Sequence, residues 1–261
     1  ITNKPHSISF EPEGTNTAGD LGAAFAITYQ NRNLFKGSEV FNLQLRGAYE
    51  AIRGLEGYKN QDFIEYSVES SLSFPRIIAP KFLTNIIGNR YDARSEVSVM
   101  YDLQNRPEYH RRVLSMAWKY KWSNEGHHDR YQIDLLDINY LFMPWISDTF
   151  RKDYLEDDTN RNAILRYNYE NLLIMKWGVG YNYNNGRYAI KANIETSGNL
   201  LNLCSGLLNF EKNEQGQYQV FGIAYAQYAK ADFDFTNNIS FDYNNQLIFH
   251  VGFGIAYPYG N

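Results

Sequence analysis

The residues best suited to chemistry in this sequence are two adjacent histidines and a short acidic run. His127 and His128 follow Gly126 in a sequence typical of a turn, and neighbouring side chains on extended backbone point apart. Residues 156–158, Glu-Asp-Asp, could offer carboxylates to Ca²⁺, but a solvated acidic loop explains them more simply. Neither feature predicts a metal site.

The usual local signatures of enzymes are missing. The sequence has no Gly-x-Ser-x-Gly, P-loop or His-Glu-x-x-His pattern. Cys204 is the only cysteine, which excludes a disulfide framework and a thiolate metal cage. We therefore expect no cofactor, no metal and no catalysis, although spacing along the sequence would not reveal a hydrolase whose catalytic groups come from separate strands.

Composition points towards an interface between dry and wet surroundings. The 261 residues include 22 Tyr, 16 Phe and 4 Trp, yet the mean hydropathy is −0.51. Tyr and Trp favour places where one end is apolar and the other hydrated, such as a membrane surface. The net charge of −4, with no basic stripe, excludes nucleic acid as an expected partner. The start at Ile1, without a signal sequence, predicts a mature or trimmed product.

Apolar and polar residues alternate along almost the whole chain, which is typical of strands with one wet face. The alternation predicts eleven strands in one domain over residues 1–261, with almost no helix and a bulge near Leu135-Leu136. The predicted strands are His6–Gly14, Leu21–Tyr29, Phe41–Tyr49, Ile64–Phe74, Val97–Leu103, Leu114–Trp122, Tyr131–Phe142, Leu173–Tyr183, Tyr188–Glu195, Phe221–Phe235 and Leu247–Tyr257.

These strands fit a water-soluble sandwich or barrel, or a transmembrane barrel. Several reach the roughly 9–11 residues that a spanning strand needs. Their polar faces carry both signs of charge, which suits a hydrated lumen but also the outside of a soluble sandwich. We favour an antiparallel up-and-down transmembrane β-barrel of the bacterial outer membrane. Gly178, Gly180, Gly222, Gly252 and Gly254 then serve as points of curvature within strands.

The links between predicted strands support that preference because long and short ones alternate, as in outer-membrane barrels. Residues 30–39, 123–130 and 184–187 form the short links, and 51–62, 143–171 and 196–217 form the long ones. Residues 75–94 break the rule. A short helix could lie within 145–166, but an ordered loop is the simpler expectation.

Aromatic residues flank the short links and predict an aromatic girdle at the periplasmic membrane surface. The general preference of aromatic residues for strands explains the same positions. The girdle residues are Tyr29, Trp122, Tyr131, Tyr183 and Tyr188.

Residues 14–25 followed by Asn33-Leu34-Phe35-Lys36-Gly37-Ser38-Glu39 resemble the first hairpin of the BamA/TamA superfamily of outer-membrane assembly factors. In that family the first strands lead into a periplasmic Asn-Leu-Phe-Gly-x-Gly turn, and Lys36 replaces a common glycine here. TamL-like lipoproteins are more similar still, through residues 66–76 and 253–261. The resemblance covers nearly the whole chain.

The resemblance implies a sixteen-stranded barrel preceded by POTRA domains. Eleven is an odd number, and a closed up-and-down barrel of antiparallel neighbours needs an even one. We therefore expect a partial barrel that stops before the large sixth external loop of the family.

The resemblance also implies a lateral gate at the first strand, where a client strand adds by β-augmentation. The gate residues would be Ile8, Phe10, Pro12 and Gly14. Alternatively, Pro12 protects a sheet edge from aggregation.

The expected function is assembly or translocation of proteins at the outer membrane. The expected partners are the lipid bilayer, client outer-membrane proteins or lipoproteins, and a periplasm-spanning protein. A channel or solute-uptake barrel is the alternative, and an outer-membrane hydrolase comes third.

Overall fold

A computed structural model of the chain is 74% strand. It describes residues 4–17, 20–52, 62–79, 81, 84, 91–124, 126–155, 169–208, 218–220, 222–242 and 245–259. No helix among these residues is long and apolar enough to cross a membrane.

The elements within those ranges follow the predicted alternation closely. In chain order they are β1 (His6–Thr17), β2 (Asp20–Asn31), β3 (Val40–Ala51), β4 (Phe63–Phe74), β5 (Tyr91–Asn105), β6 (Tyr109–Ser123), β7 (Asp129–Ile146), α1 (Asp148–Phe150), a π-helical turn (Arg151–Leu155), β8 (Leu172–Asn184), β9 (Tyr188–Ser197), α2 (Asn199–Leu208), β10 (Gln219–Val220), β11 (Ile223–Ala224), β12 (Tyr228–Ser240) and β13 (Gln246–Pro258).

Eleven of the strands form one antiparallel up-and-down sheet. Its order is β1 to β9, then β12 and β13, so β1 and β13 are its two edges. The prediction of eleven sequential antiparallel strands is confirmed. The contacts divide the chain into two compact units. Unit 1 comprises Ile1–Leu72, Ser98–Met116 and Asn139–Leu173, and unit 2 comprises Ser73–Val97, Ala117–Ile138 and Ile174–Asn261.

In unit 1 the registers of β1, β2 and β3 place apolar side chains on one face. Phe10 lies opposite Ile27, which lies opposite Leu45. These side chains are not covered, since Phe10 is 63% and Leu45 44% exposed. The other face is polar: the amide of Gln30 donates to Asn42, whose own amide donates to Ser71.

Unit 2 has the same two-faced construction over β8, β9, β12 and β13. Val179, Ile194, Ala231 and Ile255 lie side by side on the apolar face, and Ile194 is 61% exposed. The opposite face carries ion pairs such as Lys176 with Glu195, at 3.4 Å.

The predicted bulge in β7 is confirmed. Asp134 and Asp137 both contact the Lys119 ammonium, at 4.0 and 3.9 Å, so they share a face although three positions separate them. Strict alternation would place them on opposite faces. The phase therefore shifts by one residue at Leu135-Leu136.

The link between β5 and β6 is only three residues long, although it lies at the end where the alternation rule expects a long loop. Its Pro107 is fully buried. Glu108 accepts a backbone hydrogen bond from Ser147, and the Tyr109 ring packs at 5.2 Å on Tyr169. Burial raises the pKa of Tyr169. Neighbouring loop residues thus cover this short link.

Three details of the predicted elements are wrong. The strand predicted at Phe221–Phe235 begins at Tyr228, because Gln219–Val220 and Ile223–Ala224 pair with each other as the separate β10–β11 hairpin. Gly222, with φ +77°, makes that turn and does not curve a strand. The linker 196–217 contains the unpredicted α2. The optional helix within 145–166 is present as α1 and the π-helical turn.

The end of β9 is tied to the segment before β12. The Ser197 hydroxyl donates to the carbonyls of Met175, at 3.3 Å, and Ala226, at 3.0 Å. Gly198 follows with φ +77°, and a Cβ there would lie 2.5 Å from the Ala226 carbonyl oxygen. Ala226 is thus held against the end of β9, two residues before β12 begins at Tyr228.

We expect Gly198→Ala to destabilise the fold by about 2 kcal/mol or more, since it adds a backbone clash to the cost of left-handed φ. Gly186→Ala is the matched control: its φ is +85° but no atom lies within 4 Å of the new Cβ. That variant should lose only about 1 kcal/mol. Urea unfolding midpoints measure both changes, and equal losses would contradict the clash.

Candidate functional site

The first strand is an edge whose side chains are largely solvent exposed. Ile8, Phe10, Pro12 and Gly14, the predicted gate residues, all face the apolar side, opposite Tyr29, Ile27, Phe25 and Ala23. The Phe10 ring stacks on Phe25 at 6.2 Å, and both remain exposed. Among the described strands β1 pairs only with β2, so Pro12 lies in an edge strand of the sheet.

The backbone of β1 presents a specific pattern of free groups. Arg32 donates its N–H to the Pro5 carbonyl at 2.9 Å, and bonded and non-bonded pairs alternate in an antiparallel ladder. Because Pro5 bonds Arg32 directly after β2 and the bonded residues follow at every second position, the backbone groups of the odd-numbered residues of β1 form the hydrogen bonds to β2. The backbone groups of Ile8, Phe10 and Gly14 then point away from β2, and Pro12 leaves a gap in that row of donors.

An ion-pair chain on the polar face connects the first strand to the third and fourth. The Arg46 guanidinium lies 3.4 Å from the Glu13 carboxylate and also pairs with Glu65. Arg46 reaches Glu13 across β2, where the residues between them are Ala24 and Ala26, both buried. This latch holds the polar face of β1 while its outer backbone edge stays free.

The predicted turn motif folds around the buried carboxylate of Glu39. That carboxylate accepts N–H groups from Phe35, at 3.2 Å, and Gly37, at 3.0 Å. The Asn33 side chain accepts the N–H of Ser38 at 3.1 Å. A side chain on Gly37 would collide with the Glu39 carboxylate, which explains the glycine.

The turn leaves its two apolar residues at the surface. Leu34 is 37% and Phe35 64% exposed. Lys36 and Ser38 both have φ +65°, a left-handed conformation that favours glycine. Side-chain acceptors thus hold the turn in a backbone conformation that Lys36 and Ser38 disfavour.

The five girdle residues flank the short links, as predicted. The strand registers place Tyr29, Tyr183 and Tyr188 on the apolar face of the sheet. In unit 1, the Tyr29 hydroxyl bonds the His6 ring at 2.8 Å. In unit 2, Trp122 stacks on Tyr131 at 5.5 Å, Tyr183 accepts from Asn185, and Tyr188 stacks on Phe235 at 6.3 Å. Their role as a membrane girdle stays a prediction.

The two adjacent histidines serve different neighbours. His127 bonds the Ser123 hydroxyl through Nδ1 at 3.1 Å, and His128 bonds the Asn184 carbonyl at 3.0 Å. The Asp129 carboxylate binds Tyr181 and Asn124, so it does not orient His127 as a catalytic triad requires. Over the described ranges, no three His, Cys, Asp or Glu residues lie close enough to hold a metal. The acidic run 156–158 lies outside those ranges.

Sequence reasoning missed the residues that fix the hairpin. Glu39 ends the stretch that resembles the assembly factors, but its residue type alone does not distinguish it from an ordinary solvated acid. Arg46 was expected only as one of the charges on the polar face, and Glu13 was not singled out. The alanines at 24 and 26 were the available signal, because two small side chains on one face leave room for a longer neighbour.

No protein-family model matches the chain, and no curated protein sequence matches it.

We expect Lys36→Gly to stabilise the chain by about 0.5–1 kcal/mol, because glycine relieves the left-handed strain at the cost of a more flexible unfolded state. Lys36→Ala removes the charge but keeps the Cβ, and it should give no gain. Thermal or urea unfolding compares the three proteins, and a Lys36→Gly chain less stable than Lys36→Ala would contradict the strained turn.

Proposed function

We propose that the chain forms part of a β-barrel wall in the bacterial outer membrane and that it assembles or translocates other proteins there. The observation that carries the membrane placement is the exposed apolar face of the sheet. In the interior strands of unit 2, Trp177, Val179 and Ile194 are 49%, 46% and 61% exposed on that face. In unit 1, Leu45 of the interior strand β3 is 44% exposed on its apolar face.

A soluble sandwich would bury this face and expose the other one. The chain does the reverse, since its ion pairs lie on the side whose residues are more covered. Lys176 and Asp137 form one such pair at 3.8 Å, with side chains only 26% and 13% exposed. An apolar outside and a charged inside are what a barrel wall in lipid requires.

The turn geometry supports the resemblance to the assembly factors. Aligned on Asn33-Leu34-Phe35, the family pattern has glycine at positions 36 and 38. Both positions adopt left-handed φ in this chain, although they carry Lys36 and Ser38. A backbone that needs glycine where the family has it is a stronger likeness than the residue types alone.

The first strand supports a role in handling clients. Its free edge presents backbone donors and acceptors beside exposed Ile8 and Phe10, which suits an added strand from another chain. The latch through Arg46 keeps β1 in register without using that edge. A channel would use the charged face but would have no need for such an edge.

The membrane placement predicts that Trp177, which is 49% exposed on the apolar face, contacts lipid. In a variant with Trp177 as the sole tryptophan, brominated phospholipids should quench its fluorescence strongly. The control carries its sole tryptophan as Tyr228→Trp, which lies at nearly the same height on the polar face. Equal quenching at both positions would refute the proposed orientation.

The client role predicts that depleting the whole protein in cells lowers the levels of other outer-membrane proteins or surface lipoproteins. Pro12→Ala, which adds an edge donor, should restore those levels less well than the parent protein because clients leave a stronger edge more slowly. Ser9→Ala, whose backbone bonds β2, should restore them fully. Unchanged levels on depletion would overturn the assembly role, and steady ion conductance with no assembly defect would favour a channel.

A further inference from the structure

Most cations on the polar face of unit 2 have an acidic partner. Lys119 lies near Asp134 and Asp137, and Lys230 lies 2.8 Å from Asp232. A pocket of about 550 Å³ near the β6–β7 link departs from this balance. Among the residues that the structure describes, its lining includes four cations, Arg94, Lys121, Arg130 and Lys191, and one carboxylate, Asp92. The chain as a whole has a net charge of −4, so this excess is local.

Two of the four cations are already neutralised. Arg94 pairs with Asp92 at 2.8 Å, and Lys121 pairs with Glu96 at 2.8 Å. Arg130 and Lys191 have no ion pair with any residue that the structure describes. Asp234 is the acidic cross-strand neighbour of Lys191, but its carboxylate bonds the His250 ring at 3.1 Å.

A glycine, Gly180, leaves space at the floor of the pocket. Gly180 lies opposite Asn193, and Asn182 lies opposite Lys191. A Cβ on Gly180 would lie 2.9 Å from the Asn193 amide oxygen, so the absent side chain leaves that amide in the pocket. Amide groups beside unpaired cations can orient a carboxylate as well as attract it.

The two cations without an ion pair lie on strands that are not adjacent, Arg130 on β7 and Lys191 on β9. Two strand spacings of about 4.8 Å separate these strands, a distance of roughly 10 Å. Carboxylates three residues apart on an extended peptide span about that distance, at roughly 3.3 Å per residue. One acidic segment can therefore contact both cations.

We propose that this pocket, the basic groove of unit 2, binds an extended acidic segment of another protein. Carboxylates of that segment contact Arg130 and Lys191, and its backbone crosses the strands above Gly180. The inference goes beyond the proposed function and needs only unit 2. It therefore stands or falls separately from the role of the first strand.

The test uses the whole chain in a nonionic detergent and a fluorescently labelled hexaglutamate peptide as the probe, with anisotropy as the readout. We expect saturable binding that weakens as salt rises. The double variant Arg130→Gln/Lys191→Gln should bind at least about fivefold more weakly, because two charge contacts are lost. Lys230→Gln is the control, since it removes a paired cation elsewhere on the same face.

A charge-preserving variant keeps the test independent of misfolding. Arg130→Lys/Lys191→Arg should fold and should retain most of the binding. The groove is refuted by equal binding of hexaglutamine, by an unchanged affinity of the double variant, or by a loss as large in Lys230→Gln. Displacement of the peptide by inorganic phosphate or by anionic lipid vesicles at matched charge would assign the groove to those anions and overturn the peptide.

Discussion

An amphipathic sheet stays folded only if something other than water covers its apolar face, and this constraint governs the whole chain. Each apolar square ångström left in water forfeits about 25 cal/mol. In soluble folds a helix layer or a second sheet supplies the cover. In the described part of the chain the elements outside the main sheet are α1, the π-helical turn, α2 and the β10–β11 hairpin. On the interior strands of the sheet, the apolar side chains of Leu45, Trp177 and Ile194 remain 44%, 49% and 61% exposed. A bilayer would supply the missing cover without any further protein layer.

On the polar face of the sheet, small residues have a structural role. Ala24 and Ala26 let Arg46 cross a strand to Glu13. A Cβ on Gly252 would lie 3.0 Å from the Asp234 carboxylate that bonds His250. Glycines and alanines on this face therefore make room for long charged side chains. The interpretation of such glycines as points of curvature alone was incomplete.

The alternation of residue types was enough to predict the strands, their order and the bulge at Leu135-Leu136, because each depends on a period of two along the chain. The separate β10–β11 hairpin was not predictable in this way. The sequence from 221 to 225 alternates like its neighbours, yet Ile223–Ala224 pairs with Gln219–Val220 and not with the main sheet. The hydrogen bonds of Glu39 were not predictable either. Its partners are the backbone N–H groups of Phe35 and Gly37, which residue types do not reveal.

The two interpretations of Pro12, a gate element and a guard against aggregation, describe one physical property. An unbroken row of donors along β1 would bind any passing strand, and each additional hydrogen bond would contribute about 0.5–1.5 kcal/mol. Removing one donor from the middle of the row weakens every pairing at that edge, whether the partner is a client or a second copy. An edge that is weakened but not blocked can release what it binds. Pro12 is suited to that purpose because its ring removes the donor while the residue remains in strand conformation.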